Sequence, residues 1–234
     1  MAKITYDLSK FCESISHLPN ARKFIALHKR WLGVLSQQQD LRTVAAYADE
    51  MLDIDETEDA RRAGLLGGSI TMSALVLYSR ATHSDSPRSR VVVGNVLPEH
   101  LKIKHDHLIV IRNEVMAHFT GAKTSAGGLQ WVEELGYLRE GDGQPPAAGI
   151  AFKRANYLSQ EINDLREIIN FVGPIVGEEI QKRKTVMLAE LQQLRNHEEI
   201  ERALQATRFD LDAWLEREQN TEGSGIVYVR KQSA

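Results

Sequence analysis

An arginine, an asparagine and a histidine punctuate an otherwise largely apolar stretch, Leu108-Ile-Val-Ile-Arg112-Asn113-Glu114-Val-Met-Ala117-His118-Phe119. A guanidinium or an imidazole buried without partners is costly, so such residues among core-forming neighbours point to an assigned task. Arg112 can hold a phosphate through its planar fork of donors, and His118 can move a proton near neutral pH. Asn113 can orient either one by hydrogen bonding. Together they supply the parts of a metal-free phosphodiester-cleaving site, with RNA as the substrate. The plainer reading is a satisfied structural pair.

Spacing by itself is weak support. Eight histidines among 234 residues make an Arg followed six positions later by a His easy to obtain. Arg22 and His28 repeat that separation in Ala21-Arg-Lys-Phe-Ile-Ala-Leu-His28. Context separates the two cases, because Asn113 directly follows Arg112 and small Ala117 directly precedes His118. On an ideal helix, six residues leave Arg112 and His118 about 120° apart in azimuth and about 9 Å apart along the axis. One straight helix does not bring them together. Either the helix loosens towards Gly121, or a second chain offers its own Arg and His across a two-fold axis, the commonest oligomer symmetry.

The residues upstream add context. Leu75-Val-Leu-Tyr78-Ser79-Arg80-Ala81 is followed by a polar loop, Ser84-Asp-Ser-Pro87-Arg88-Ser-Arg90, and then by the segment carrying His105, His107 and the Arg112-Asn113/Ala117-His118 element. This order resembles bacterial members of the HEPN superfamily, including abortive-infection-type and uncharacterised relatives. In these an apolar helix ending near Tyr-Ser-Arg precedes a helix ending in Arg-Asn or Arg-Asp, a short spacer and Ala-His. Five residues separate Arg112 from His118, within the four to six of the family pattern. The resemblance covers about residues 8–180, with its specific residues confined to 75–119. It implies a HEPN-like helical bundle and a homodimer whose paired motifs face a shared cleft. Many relatives are metal-independent ribonucleases acting as toxins or antiviral effectors, and others have lost activity, so the resemblance speaks more firmly to fold than to reaction.

The chemistry expected of such a site is transesterification by the RNA's own 2′-hydroxyl. His118 would act as general base on that hydroxyl or as general acid towards the departing 5′-oxygen. Arg112 would stabilise charge growing on the phosphorane oxygens, with Asn113 orienting phosphate or imidazole. Products would carry a 2′,3′-cyclic phosphate and a 5′-hydroxyl, with no cofactor and no metal. Arg80, Arg88 and Arg90 are candidates to line the RNA path. A protein inhibitor or antitoxin is a further candidate partner. Two other readings compete. One is a non-catalytic HEPN-like binding or assembly module in which Arg112 pairs with Glu114 or with a partner carboxylate inside the dimer. The other is a metal site from His105, His107, Glu114 and His118, which is disfavoured because His105 and His107 point to nearly opposite sides of a helix.

The elements that must position these residues read as helices. Residues 8–36 carry apolar residues at helical spacing around a break at Pro19-Asn20, residues 40–52 form a shorter amphipathic piece, and 60–82 an apolar helix containing Gly64, Gly67 and Gly68. Pro98 suits the first turn of the motif helix, expected to run to about Phe119. Leu129–Val132 and Gly149–Lys153 flank a Gly/Pro turn region and predict two short strands. A long helical pattern follows from about Asn156, with Gly173-Pro174 expected to kink or split it. A last amphipathic segment uses Phe209, Leu211, Trp214 and Leu215, and Ile226–Val229 could dock as an edge strand. The expectation is an all-α fold with a short two-stranded β insertion: a HEPN-like domain over 1–180, a C-terminal helical extension over 181–220, and a flexible tail over 221–234. The motif helix is also expected at the dimer interface, since its apolar residues extend around much of its circumference.

Composition sets outer bounds. At 42% hydrophobic and 26% charged the chain can bury a sizeable core. A net charge of −3 argues against broad electrostatic adhesion to nucleic acid and leaves room for a local basic cleft. One cysteine, Cys12, excludes an intrachain disulfide and a multi-cysteine zinc site. Its neighbourhood is apolar, with no evident activating His, which reads as a structural thiol. No apolar run reaches spanning length and no signal architecture is visible, so a cytoplasmic protein off the membrane is expected.

Overall fold

The computed structural model of the chain describes residues 4–55, 60–82, 89–113, 132–141, 144–154 and 159–214. The fold is all-α with a two-stranded β insertion. Elements run β1 (Thr5–Tyr6), α1 (Leu8–Ser14), a 3-10 turn (Pro19–Ala21), α2 (Arg22–Asp55), α3 (Ala60–Thr82), α4 (Val93–Val96) and α5 (Glu99–Ile111). The hairpin strands β2 (Val132–Gly141) and β3 (Gln144–Arg154) follow, then α6 (Ser159–Leu194), α7 (Glu198–Ala206) and β4 (Arg208–Phe209). Among the described residues no helix is long and apolar enough to cross a membrane.

Contacts gather the chain into two compact units, residues 29–184 in one and 1–28 with 185–234 in the other. In the 29–184 unit each helix buries one stripe. Val34, Leu41, Val44, Ala48 and Met51 come from α2, Leu75, Tyr78 and Ala81 from α3, Leu101, Leu108 and Ile111 from α5, and Ile162, Leu165, Ile168, Val172 and Val176 from α6. Steps of three, four and seven residues keep each set on one side of its helix. In the other unit, Phe11 and Phe24 pack edge to face with ring centroids 5.6 Å apart, and Thr5–Tyr6 pairs antiparallel with Phe209–Arg208. Asp7 caps α1, its carboxylate accepting from the backbone N–H groups of Ser9 and Lys10 at 3.0 Å each.

Two helices run further than their patterns predict. The polar stretch Gln37-Gln-Gln-Asp40 reads as a gap before a shorter element, yet α2 passes through it. It contains no Gly or Pro to stop a helix, and Gln37 and Asp40 are buried with partners of their own. Likewise α6 continues across Pro174 rather than splitting there. The proline removes one backbone donor, and Ile168, Ile169 and Val172 before it and Val176 and Ile180 after it are buried in the same core. The hairpin is longer than expected, with pairing from Val132↔Arg154 to Gly141↔Gln144 and a register shift between Arg139 and Gly141. Ile226–Val229 lies outside the described residues.

Gly33 on α2 marks a close approach. A Cβ there would stand 2.4 Å from the backbone oxygen of Ser89, whereas one on Gly173 in α6 would meet nothing within 4 Å. Urea denaturation should therefore show Gly33→Ala losing about 1–3 kcal/mol, because backbone must move, and Gly173→Ala gaining up to about 1 kcal/mol from helix propensity. Equal effects at the two positions would contradict the close approach.

Candidate functional site

Arg112 owes its position to α5. The chain enters through Pro98, extended at φ −66° and ψ 157°, whose carbonyl accepts from Leu101 and Lys102 at 3.0 and 2.9 Å. Leu101, His105, Leu108 and Ile111 then form the buried stripe. Arg112 keeps helical backbone, its N–H bonded to the carbonyls of Leu108 and Ile109, and Arg112-Asn113 opens into a wider π-type turn. Such widenings recur at functional sites. Both side chains are half-buried, and Arg112 Nη1 donates to Asn113 Oδ1 at 2.9 Å. Arg80, Arg166, Arg183, Arg195 and Arg202 each pair with a carboxylate. Among the described residues no carboxylate pairs with Arg112. Glu114 and His118 lie outside the described residues, so the Arg112–His118 relation expected from sequence has no geometry here.

Polar contacts fix α5 on two sides. Inside the core, Tyr78 Oη of α3 lies 2.7 Å from His105 Nδ1. Burial, aided by Asp106, pushes the phenol's pKa well above its ordinary value, and burial, opposed by Asp106, lowers that of the imidazole. Towards α6, Lys104 reaches Asp164 at 2.8 Å and Glu167 at 2.5 Å, and His107 Nε2 lies 3.3 Å from Glu161 Oε1. Partner numbers fall along α6 as they rise along α5, so the two helices run antiparallel. Glu161 and Asp164 are buried, and a buried carboxylate without its cation is expensive. His105 and His107 thus face different elements, as their separation on a helix requires.

The three arginines expected along an RNA path differ. Arg80 is committed to Asp40, its Nε and Nη2 donating to the two carboxylate oxygens at 2.9 and 2.5 Å, and that pairing raises its pKa. The Tyr78-Ser79-Arg80 run therefore holds helices together: Tyr78 binds α5 and Arg80 binds α2. Arg90 is half-buried, and Arg88 lies outside the described residues. Sequence reasoning missed what holds the residues on either side of Arg90. The Gln37 side chain donates to the carbonyls of Ala81 and Val91, both at 2.9 Å, and accepts from the Val91 N–H at 3.0 Å. Arg183 donates to the carbonyls of Arg30 and Ser89 and to Ser89 Oγ. A Gln in a polar run carries no signal of such a clamp.

In the smaller unit the reading of Cys12 needs correction. His28 Nδ1 lies 3.3 Å from its sulfur, a partner hidden from sequence because the chain turns between α1 and α2. His28 is buried and its pKa is lowered by that burial, with Asp7 opposing. A neutral imidazole accepting the thiol proton fits a structural contact. The Arg22/His28 pair, matched in spacing to the motif, accordingly has its histidine engaged in packing.

No known protein family, curated protein or solved structure matches the chain.

Gln37 is the most exposed test of how this region is held. Gln37→Leu keeps the bulk but strands two carbonyls and one N–H, and should lower unfolding free energy by about 2–4 kcal/mol in urea titrations. A change within about 0.5 kcal/mol would show that water or neighbours replace the clamp without cost.

Proposed function

We propose that this chain is a metal-independent endoribonuclease of the HEPN type, acting as a homodimer in a toxin or phage-defence setting. The observation that carries the reading is Arg112 itself. It is a half-buried guanidinium at the widened end of a firmly held helix, oriented by Asn113 and paired with no carboxylate among the described residues. A cation left in that state suits an anionic ligand, and a phosphodiester accepts its fork of donors in two contacts.

The catalytic assignment follows the sequence. Arg112 stabilises the phosphorane oxygens, Asn113 orients, and His118 carries the proton that leaves the 2′-hydroxyl or protonates the departing 5′-oxygen. Of the two ways to bring Arg112 and His118 to one phosphate, the resemblance favours the motifs of two chains facing each other across a two-fold axis. The outer side of α5 offers Ile103, 63% exposed, and half-buried Val110 one heptad on. Glu99, His100, Lys102 and Asp106 make the rest of its exposed surface polar. The dimer contact proposed here is therefore a narrow apolar line leading to Asn113, smaller than the apolar pattern of α5 suggests.

The experiment incubates single-stranded and structured RNA with the protein in excess chelator. Wild type should cut; His118→Ala should abolish cutting, and Arg112→Ala should slow it by about 100-fold or more. Arg22→Ala, equal in spacing but outside the motif, should cut like wild type. A broad RNA panel left intact by wild type, or His118→Ala cutting at the wild-type rate, defeats the proposal. Light scattering should give twice the monomer mass at micromolar protein, and a monomer with full activity would remove the shared cleft.

A further inference from the structure

Two buried polar groups meet inside the core of the 29–184 unit, and the reaction proposed above uses neither. Tyr78 on α3 is fully buried and His105 on α5 is 8% exposed. The phenol oxygen lies 2.7 Å from Nδ1, with the rings 72° apart in an edge-on contact. The far side of the imidazole faces α4 at Gly94, where a Cβ would stand 3.8 Å from Nε2. The ring is thus held between a phenol and a stretch of backbone. A neutral imidazole suits this place, since Nδ1 accepts the phenol O–H and Nε2 carries the hydrogen. A protonated one does not. Nδ1 would then become a donor, the phenol would have to turn its own hydrogen away, and a full charge would sit among Leu101, Leu108 and the apolar face of α3.

We propose that Tyr78 and His105 form a proton-operated latch between α3 and α5, closed while His105 is neutral and opened when it takes up a proton. Opening frees the helix that ends in Arg112-Asn113. His105 and Arg112 lie one heptad apart, about 10 Å along the axis and on one side of it, so loosening α5 at His105 changes how Arg112 is presented.

The charges on the surrounding elements do not compensate a protonated His105. Among the described residues, Asp106, its neighbour on α5, is the ionised group whose field favours the proton, and it is exposed on the outer side. From α2, Asp40 is committed to Arg80, and from α6, Glu161 and Asp164 are committed to His107 and Lys104. From α3 the group in contact is the uncharged Tyr78, and from α4 it is the Gly94 backbone. The sign follows. The closed state lowers the imidazole pKa from 6.5, so the open state binds the proton more readily and closure weakens as pH falls below that value.

Hydrogen exchange of the 99–111 amides, corrected for the intrinsic rate and followed from about pH 8 to about pH 5, reads the latch directly. In wild type the opening constant should be flat at the alkaline end and rise by up to about tenfold per pH unit below 6.5. His105→Gln, whose amide oxygen can accept from Tyr78 but cannot be protonated, should remove that rise. Tyr78→Phe, which deletes the bond to the neutral ring, should raise the opening constant at the alkaline end and shrink the rise on the acid side. His28→Gln, which changes the other histidine buried among the described residues, should leave α5 exchange as in wild type. A flat wild-type profile, or a slope that survives His105→Gln, overturns the latch. Should His105→Gln fail to fold, the wild-type ring decides by NMR. His105 must titrate below 6.5 in step with α5 exchange, and titration out of step overturns the proposal. None of these readouts depends on RNA cleavage.

Discussion

Everything claimed for Arg112 depends on α5 being held in one place, and polar contacts rather than apolar packing alone do the holding. Leu101, Leu108 and Ile111 bury one side of the helix, but such residues tolerate small slips. The Tyr78–His105 bond at 2.7 Å and the Lys104 and His107 contacts to Asp164, Glu167 and Glu161 do not. A slip along α6 would strand buried carboxylates, a loss of about 3–5 kcal/mol for a broken buried pair. One along α3 would leave a phenol or imidazole unbonded in the core, at about 1–3 kcal/mol. These penalties make the register of α5 specific, and with it the position of its widened C-terminal end.

A second set of contacts serves the segment that feeds α5. Gln37 acts on Val91 as a neighbouring strand would, giving and receiving one backbone bond, and Gly33 lets Ser89 come close. Arg183 closes the same segment from α6. Two helices, α2 and α6, thus fix the chain just before the short α4 and the Pro98 entrance of α5. The structural duties of Tyr78 and Arg80 fit this arrangement, since one side chain ties α3 to α5 and the other ties α3 to α2.

The helical stripes were legible because periodicity reports burial directly: α3 runs over Ala60–Thr82 as its apolar spacing indicates, and α5 starts immediately after Pro98. The continuity of α2 and α6 was less so. Local cues, a polar run and a Gly-Pro pair, argue for interruption, while the core on either side decides otherwise. Partnerships between distant residues were not legible at all. Nothing local tells that Gln37 bonds Val91, that His28 meets Cys12, or that Thr5–Tyr6 pairs with Arg208–Phe209. For the site, Arg112 and Asn113 were visible as polar interruptions of an apolar stretch. The anchors His105 and His107 were visible as residues but not as roles, because their partners lie on other helices.

The central claim is that Arg112 and Asn113 serve a site where RNA's own 2′-hydroxyl attacks the adjacent phosphate. The most direct measurement uses one RNA oligonucleotide that the protein cuts and the same strand carrying a single 2′-deoxy nucleotide at the cut position. The account predicts a 2′,3′-cyclic phosphate end from the first and no cleavage at that position in the second. Equal cleavage of both strands would contradict it, because the attacking oxygen would then come from outside the RNA.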